Sequence, residues 1–230
     1  MVVASPVSER LTILALLTLT FATGLVDAIS VLVLGHVFVA NMTGNVIFLG
    51  FWFVPHSGVD LTAAAVAFVS FLAGTIIGGR FVRHLGHAVR TWITVALSAE
   101  VVALLALAGL AGAGVLEYHG SGRLILIVGL AIVFGAQSVA ARQFGIQELT
   151  TTVLTATIVG IGLESRLAGG TGHGEKLRFA VVLTMCGGAA VGATLSQFAV
   201  APVIALAALS VAAGLAIFRF GHQESPRPNP

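Results

Sequence analysis

Eight apolar runs leave this chain almost no way to fold in water. They cover residues 11–34, 36–54, 61–83, 88–112, 122–142, 147–163, 177–196 and 198–219, separated by short polar breaks. Of the 230 residues, 57% are hydrophobic and 9% are charged, whereas soluble domains carry about 25% charged side chains. So few charges cannot cover a water-facing surface, while about 20 apolar residues cross a hydrocarbon layer. The expected fold is an all-α integral membrane protein with the lipid bilayer as its solvent. Its single transmembrane domain would occupy 11–219, after an N-terminal tail (1–10) and before a proline-containing tail (220–230) expected to be disordered. The long first run reads as a retained span rather than a cleaved leader.

The same composition excludes several functions. The basic residues are scattered and form no stripe for nucleic acid. Cys186 is the only cysteine, which rules out a disulfide framework or a Cys-rich metal site. His84 and His87 make a poor metal signature, so no metal and no cofactor is expected. The run from Gly169 to Lys176 lacks the Gly-Lys-Ser/Thr ending and a preceding strand, and reads as a loop rather than a phosphate cradle.

The chain repeats itself. Met42-Thr43-Gly44-Asn45-Val46-Ile47 aligns with Leu154-Thr155-Ala156-Thr157-Ile158-Val159, and Gly74 and Gly78 align with Gly188 and Gly192. Upstream, Gly24-Leu25-Val26-Asp27 aligns with the stretch Gly135 to Ser138. Repeat 1 spans about 11–112 and repeat 2 about 122–219, each with a short second segment. Cytoplasmic loops collect Lys and Arg. If 36–54 and 147–163 both enter and leave on one side, Arg10, Arg80, Arg83, Arg90, Arg142, Arg166, Lys176, Arg178, Arg219 and Arg227 share one face, against Arg123 alone. That bias favours six transmembrane helices, two short re-entrant segments and cytoplasmic termini. Three spans per half then makes the repeat an inverted one, a transporter and channel architecture.

Candidate site residues follow from cost. A carboxylate in hydrocarbon costs on the order of 3 kcal/mol on insertion scales, so Asp27 and Glu100 are candidates for proton coupling, with structural hydrogen bonding as the plainer role for each. Thr43, Gly44 and Asn45 are expected to break the first short segment, since Gly permits a tight turn while Thr and Asn can satisfy exposed backbone. Asp27, Asn41, Thr43, Gly44, Asn45, Ser138, Thr155 and Thr157 would line a substrate or ion site between the repeats. Thr150, Thr151 and Thr152 add hydroxyls to the second segment. His36 is expected near the entrance of the first segment, and Gln137 shares the repeat position of Asp27. Arg142 could pair with Glu148 across the following turn.

Gly24-x-x-Asp27-Ala28, then Val37-Phe38-Val39-Ala40-Asn41-Met42-Thr43-Gly44-Asn45, and further on Gly74 to Arg80, resemble the YoaK-like family of bacterial multi-spanning membrane proteins of unknown function. The likeness extends over 10–219 and is looser in the second half, where Ala156 and Thr157 replace Gly-Asn. It implies a multi-pass protein of the bacterial inner membrane and brings no substrate or catalytic residue.

The functional expectation is a transporter or channel for a small polar solute or ion. A membrane scaffold, with its glycine faces serving partner subunits or a homo-oligomer, is the alternative. A membrane-embedded enzyme is disfavoured, because Asp27, His36 and Glu100 are far apart in sequence and no nucleophile–base pair is evident.

Overall fold

The computed structural model describes residues 4–54, 58–85, 88–118, 120–144, 154–172 and 174–222. They form helices α1 (Glu9–Leu32), α2 (Met42–Gly50, continued by a 3-10 turn Phe51–Phe53), α3 (Leu61–Leu85), α4 (Val89–Gly112), α5 (Gly120–Arg142), α6 (Leu154–Glu164), α7 (Glu175–Ser196) and α8 (Ala201–Phe220). Among the described residues there is no strand. Six helices, α1, α3, α4, α5, α7 and α8, are long and apolar enough to cross a membrane. At 1.5 Å per residue their 20 to 25 residues reach roughly 30–37 Å, a bilayer's hydrocarbon thickness or more. The apolar stretches Met42–Phe53 and Leu154–Glu164 reach only about half of that.

Contacts at the two ends of the bundle give its path. At one end, the Arg90 guanidinium at the head of α4 donates to the carbonyls of Pro6 (3.0 Å) and Gly221 (2.9 Å). The Ser8 N–H donates to His222 O (3.2 Å). Phe144, just past α5, stacks on Trp92 of α4 and Phe218 of α8, with centroids 6.2 and 5.1 Å apart. Both ends of the described chain therefore sit here, together with the start of α4 and the end of α5. At the far end, Asp60 ahead of α3 pairs with Arg123 in the first turn of α5. Gly35, just past α1, lies where an added Cβ would be 3.2 Å from Arg123 Nη1 and 3.5 Å from Ala63 Cβ. The link from α1 to α3 thus begins and ends at the far end, although it contains α2.

The main pairings are α3 with α5, α1 with α7, α4 with α8 and α1 with α8. The first two are close crossings made by small residues. Gly74 of α3 faces the Ile132 backbone and Gly78 faces Ala136, while Gly135 of α5 faces the backbone of Phe71 and Thr75. In α1 and α7, Gly24 faces Met185 and Ala189, Gly188 faces Phe21 and Gly192 faces Leu25. Residue numbers rise together in each pair, so both pairs run parallel. Lipid tails are as apolar as leucine, so helices in a bilayer associate through close van der Waals packing, which small residues permit. The glycines aligned in the sequence make equivalent contacts in both crossings.

A leucine at Gly74 would drive its side chain into the α5 backbone, and such overpacking costs about 1–3 kcal/mol or more. Gly109 in α4 has nothing within 4 Å of an added Cβ. Gly109→Ala should leave stability unchanged or raise it by up to about 1 kcal/mol. Thermal unfolding in detergent, followed by circular dichroism, checks the contrast between Gly74→Leu and Gly109→Ala.

Candidate functional site

Beyond Leu32 the chain turns over Gly35 (φ 126°) and His36 (φ 59°) and returns alongside α1 as non-helical backbone until α2 begins at Met42. Val37, Val39 and Ala40 are buried. Unpaired backbone polar groups at such a depth cost several kcal/mol each, so this segment needs partners. Asp27 supplies them. Its Oδ1 accepts the N–H groups of Val39 and Ala40, both at 2.9 Å, and its Oδ2 accepts the Asn41 side-chain amide at 2.5 Å. The carboxylate is 6% exposed.

Asn45, fully buried in the first turn of α2, completes the arrangement. Its Oδ1 accepts the Phe38 N–H at 2.9 Å, and its Nδ2 donates to Phe38 O at 2.6 Å. One side-chain amide thus satisfies both backbone groups of a residue, as a neighbouring strand would. Gly44 lies against the Phe38 ring, where any Cβ would collide, and that ring stacks on Phe48 at 6.5 Å. Asp27, Asn41 and Asn45 are therefore one cluster, spread over α1, the return segment and α2.

Two sequence expectations are corrected here. Thr43-Gly44-Asn45 is not the interruption: it opens α2, and the irregular backbone is 33–41. Gly44 serves a close approach to Phe38 rather than a turn, and Asn45 satisfies the neighbouring break instead of forming one. Nor do the two short segments form an extended contact with each other among the described residues, as a shared site between the repeats would require. α2 packs on α3 and α6 packs on α7, so each lies on the next long helix of its own half. Arg178 Nη1 reinforces the second contact by donating to Gly160 O at 3.1 Å.

The remaining candidates are dispersed. Thr43 and Thr155 are exposed, and Thr157 is buried on α6. Ser138 on α5 turns its hydroxyl onto Phe134 O of its own helix at 2.8 Å. His36 is exposed at the turn, and Arg142 is exposed at the end of α5. Glu148 and Thr150 to Thr152 lie outside the described residues.

Glu100 is buried in α4 beside a cavity of about 260 Å³ between α3, α4 and α5, which Gln137 also lines. Trp92, fully buried on the same wall, was missed in the sequence. The available signal was spacing: Trp92 lies eight residues before Glu100, near two helical turns, and so falls on much the same face.

The fold and this cluster define a polytopic helical membrane protein whose first span carries a buried return segment on its own aspartate. The chain belongs to the family described as protein of unknown function (DUF1275), whose model matches residues 15–217. It is similar to the UPF0700 transmembrane protein YoaK of Bacillus subtilis (strain 168), 38% identical over 157 residues. That match spans 66% of this chain and 65%, just under two thirds, of the relative's length. No solved structure matches the chain. The family and the transmembrane character agree with the resemblance read from the Asp27 and Asn45 motifs.

Asp27→Asn would set an amide N–H₂ against donors that the carboxylate now accepts. Hydrogen bonds to charged groups contribute about 1.5–3 kcal/mol each, so a loss of about 2–3 kcal/mol is expected. Hydrogen exchange should accelerate at Val39 and Ala40, while Thr43→Val, at an exposed position, should leave those amides unchanged. Mass-spectrometric exchange in detergent or nanodiscs is the measurement.

Proposed function

We propose that this protein moves a small polar solute or ion across the bacterial inner membrane, as an inverted repeat with both termini cytoplasmic. The observation that carries the proposal is the α1–α3 link, which enters and leaves at the far end with its return segment pinned inside the bundle by Asp27. The α5–α7 link has the corresponding property at the other end: α5 finishes there, and α7, parallel to α1, starts there. Secondary transporters built from inverted repeats likewise carry interrupted helical segments within the membrane, one in each half. Irregular backbone at membrane depth is tolerated where protein buries it or where it lines a water-filled path.

Charge supports the orientation. Arg90, Arg142 and Arg219 cluster at the end that holds the chain termini, and Arg123 is at the far end, engaged by Asp60. Under the positive-inside rule the termini face the cytoplasm. In this reading Asp27, Asn41 and Asn45 position the return segment. Thr43 and Thr155, exposed on α2 and α6, offer hydroxyls to a solute. The protein acts as a carrier or channel rather than an enzyme. Self-association through α7, the least buried of the six long helices, is compatible with it.

Sidedness is tested with single cysteines in a Cys186→Ser background. Phe53→Cys, 89% exposed at the end of the 3-10 turn, should react with an impermeant maleimide from the periplasmic side. Leu167→Cys, fully exposed beyond α6, should react only after the membrane is opened. Labelling of both from one side would end the inverted arrangement. Transport itself is tested in proteoliposomes with water, glycerol, urea, Na⁺, K⁺ and Cl⁻, with and without a pH gradient. The expected result is a flux above that of empty liposomes for at least one of these, reduced several-fold by Thr43→Val. Rates equal to empty liposomes throughout would turn the assignment toward a membrane scaffold.

A further inference from the structure

We propose that the hollow between the start of α4 and the end of α8 is a binding site for the phosphate head of an anionic membrane lipid, with an acyl chain lying along the outer face of α4. Arg90, Thr91, Thr94, Val95, Arg219 and Phe220 line it, and its volume is about 520 Å³. Ordinary ligand pockets span about 300–1,000 Å³. The wall carries two guanidinium groups and no carboxylate. Neither arginine is in an ion pair among the described residues, although α1 brings Glu9 to the same end of the bundle. Two cations side by side with no counter-charge favour an anionic partner.

The two arginines divide the work. Arg90 is held in place: its guanidinium donates to the carbonyls of Pro6, Gly221 and Arg219 at 3.0, 2.9 and 3.4 Å. Carbonyls fix the position of that charge without neutralising it. Arg219 is exposed and lies over the Phe220 ring, 5.8 Å from its centroid, and its N–H groups have no acceptor among the described residues. A guanidinium with free N–H groups matches phosphate oxygens in pairs, and such charge-assisted bonds are the stronger kind. Thr91, exposed beside them, adds a hydroxyl.

What lies beneath the charges selects a lipid over a free anion. Val95 lines the hollow, and Val102 follows on the same face of α4, about two turns further into the membrane. They are 44% and 66% exposed, and Phe220 adds an exposed apolar edge. A free phosphate would use the arginines and leave this surface untouched, whereas an amphiphile covers both. The depth also fits: Arg90 is in the first turn of α4 and Arg219 in the last turn of α8, at the level where head groups meet hydrocarbon. Basic pockets between spans at a membrane face suit phosphate head groups. The second basic hollow, around Arg80, Arg83 and His84, is lined by α3 alone, and Arg83 Nε there donates to Gly79 O of its own helix at 3.2 Å. Lipid binding is read without any flux and is independent of solute movement.

The test titrates the full-length protein, stripped of lipid in detergent, and counts bound lipid by native mass spectrometry. Dioleoyl phosphatidylglycerol should bind saturably. Dioleoyl phosphatidylcholine, whose phosphate carries its own ammonium partner, should bind about tenfold more weakly, and inorganic phosphate in excess should not displace the phosphatidylglycerol. Arg219→Gln should weaken phosphatidylglycerol about tenfold, while Arg83→Gln, outside the hollow, should leave its binding unchanged. Thr91→Glu sets a carboxylate against the two arginines and should cause the same loss as Arg219→Gln; an acidic residue in the first turn of a helix does not destabilise it. Equal affinity for the two lipids, or equal losses in Arg219→Gln and Arg83→Gln, overturns the proposal in favour of diffuse surface charge. Displacement by inorganic phosphate overturns it in favour of a free-anion site. Elution of each variant as a monodisperse peak establishes that it is folded, and Thr91→Glu carries the test if Arg219→Gln is not.

Discussion

Irregular backbone inside a membrane must find hydrogen-bond partners within the protein, and in this structure one carboxylate meets most of that demand. Asp27 takes two main-chain N–H groups and one side-chain amide from a segment that would otherwise leave them buried and unpaired. Asn45 settles the neighbouring residue, Phe38, with both ends of a single amide. The charge would be costly alone in hydrocarbon. Surrounded by three donors it becomes the reason that the chain can turn back after Leu32 at all. The position of α2, and through it the approach of α2 to α3, follows from that attachment.

The rest of the bundle depends on close approach rather than on polar bonding. Gly24, Gly188 and Gly192 bring α1 against α7, while Gly74, Gly78 and Gly135 bring α3 against α5. Each crossing joins a helix of the first half to one of the second, so neither half packs as a unit on its own. The remaining long pairs, α4 with α8 and α1 with α8, also cross between halves. This interlocking explains how a chain with so few polar contacts between helices holds one arrangement.

The long helices were legible because length and apolarity alone define them: the runs read at 61–83 and 122–142 became Leu61–Leu85 and Gly120–Arg142. The shortness of the second segment in each half was legible too. What the residues did not disclose was which part of 33–50 is irregular. Gly44 and Asn45 have the composition of a break, yet Gly44 is required by the bulk of Phe38, and Asn45 reaches back seven residues to satisfy Phe38. A side chain that repairs a break and a side chain that makes one look alike in sequence. Asp27 was recognised as a costly residue, but its partners lie 12 and 13 residues away, across a turn that no local pattern specifies. Trp92 was passed over because tryptophan in an apolar run is ordinary; only the unpaired Nε1 of its fully buried ring sets it apart.

The two buried carboxyl groups therefore show opposite logic. Asp27 sits in a closed cluster where donors and acceptors are matched, and matched polar groups rigidify a core. Glu100 lines an open cavity, and its Oε1 is buried without a hydrogen-bond partner among the described residues. A carboxyl retained in a span for structure alone should look like Asp27, since partners were within the chain's reach there. Glu100 Oε1 has no such partner among the described residues, so its burial is not offset by matched donors.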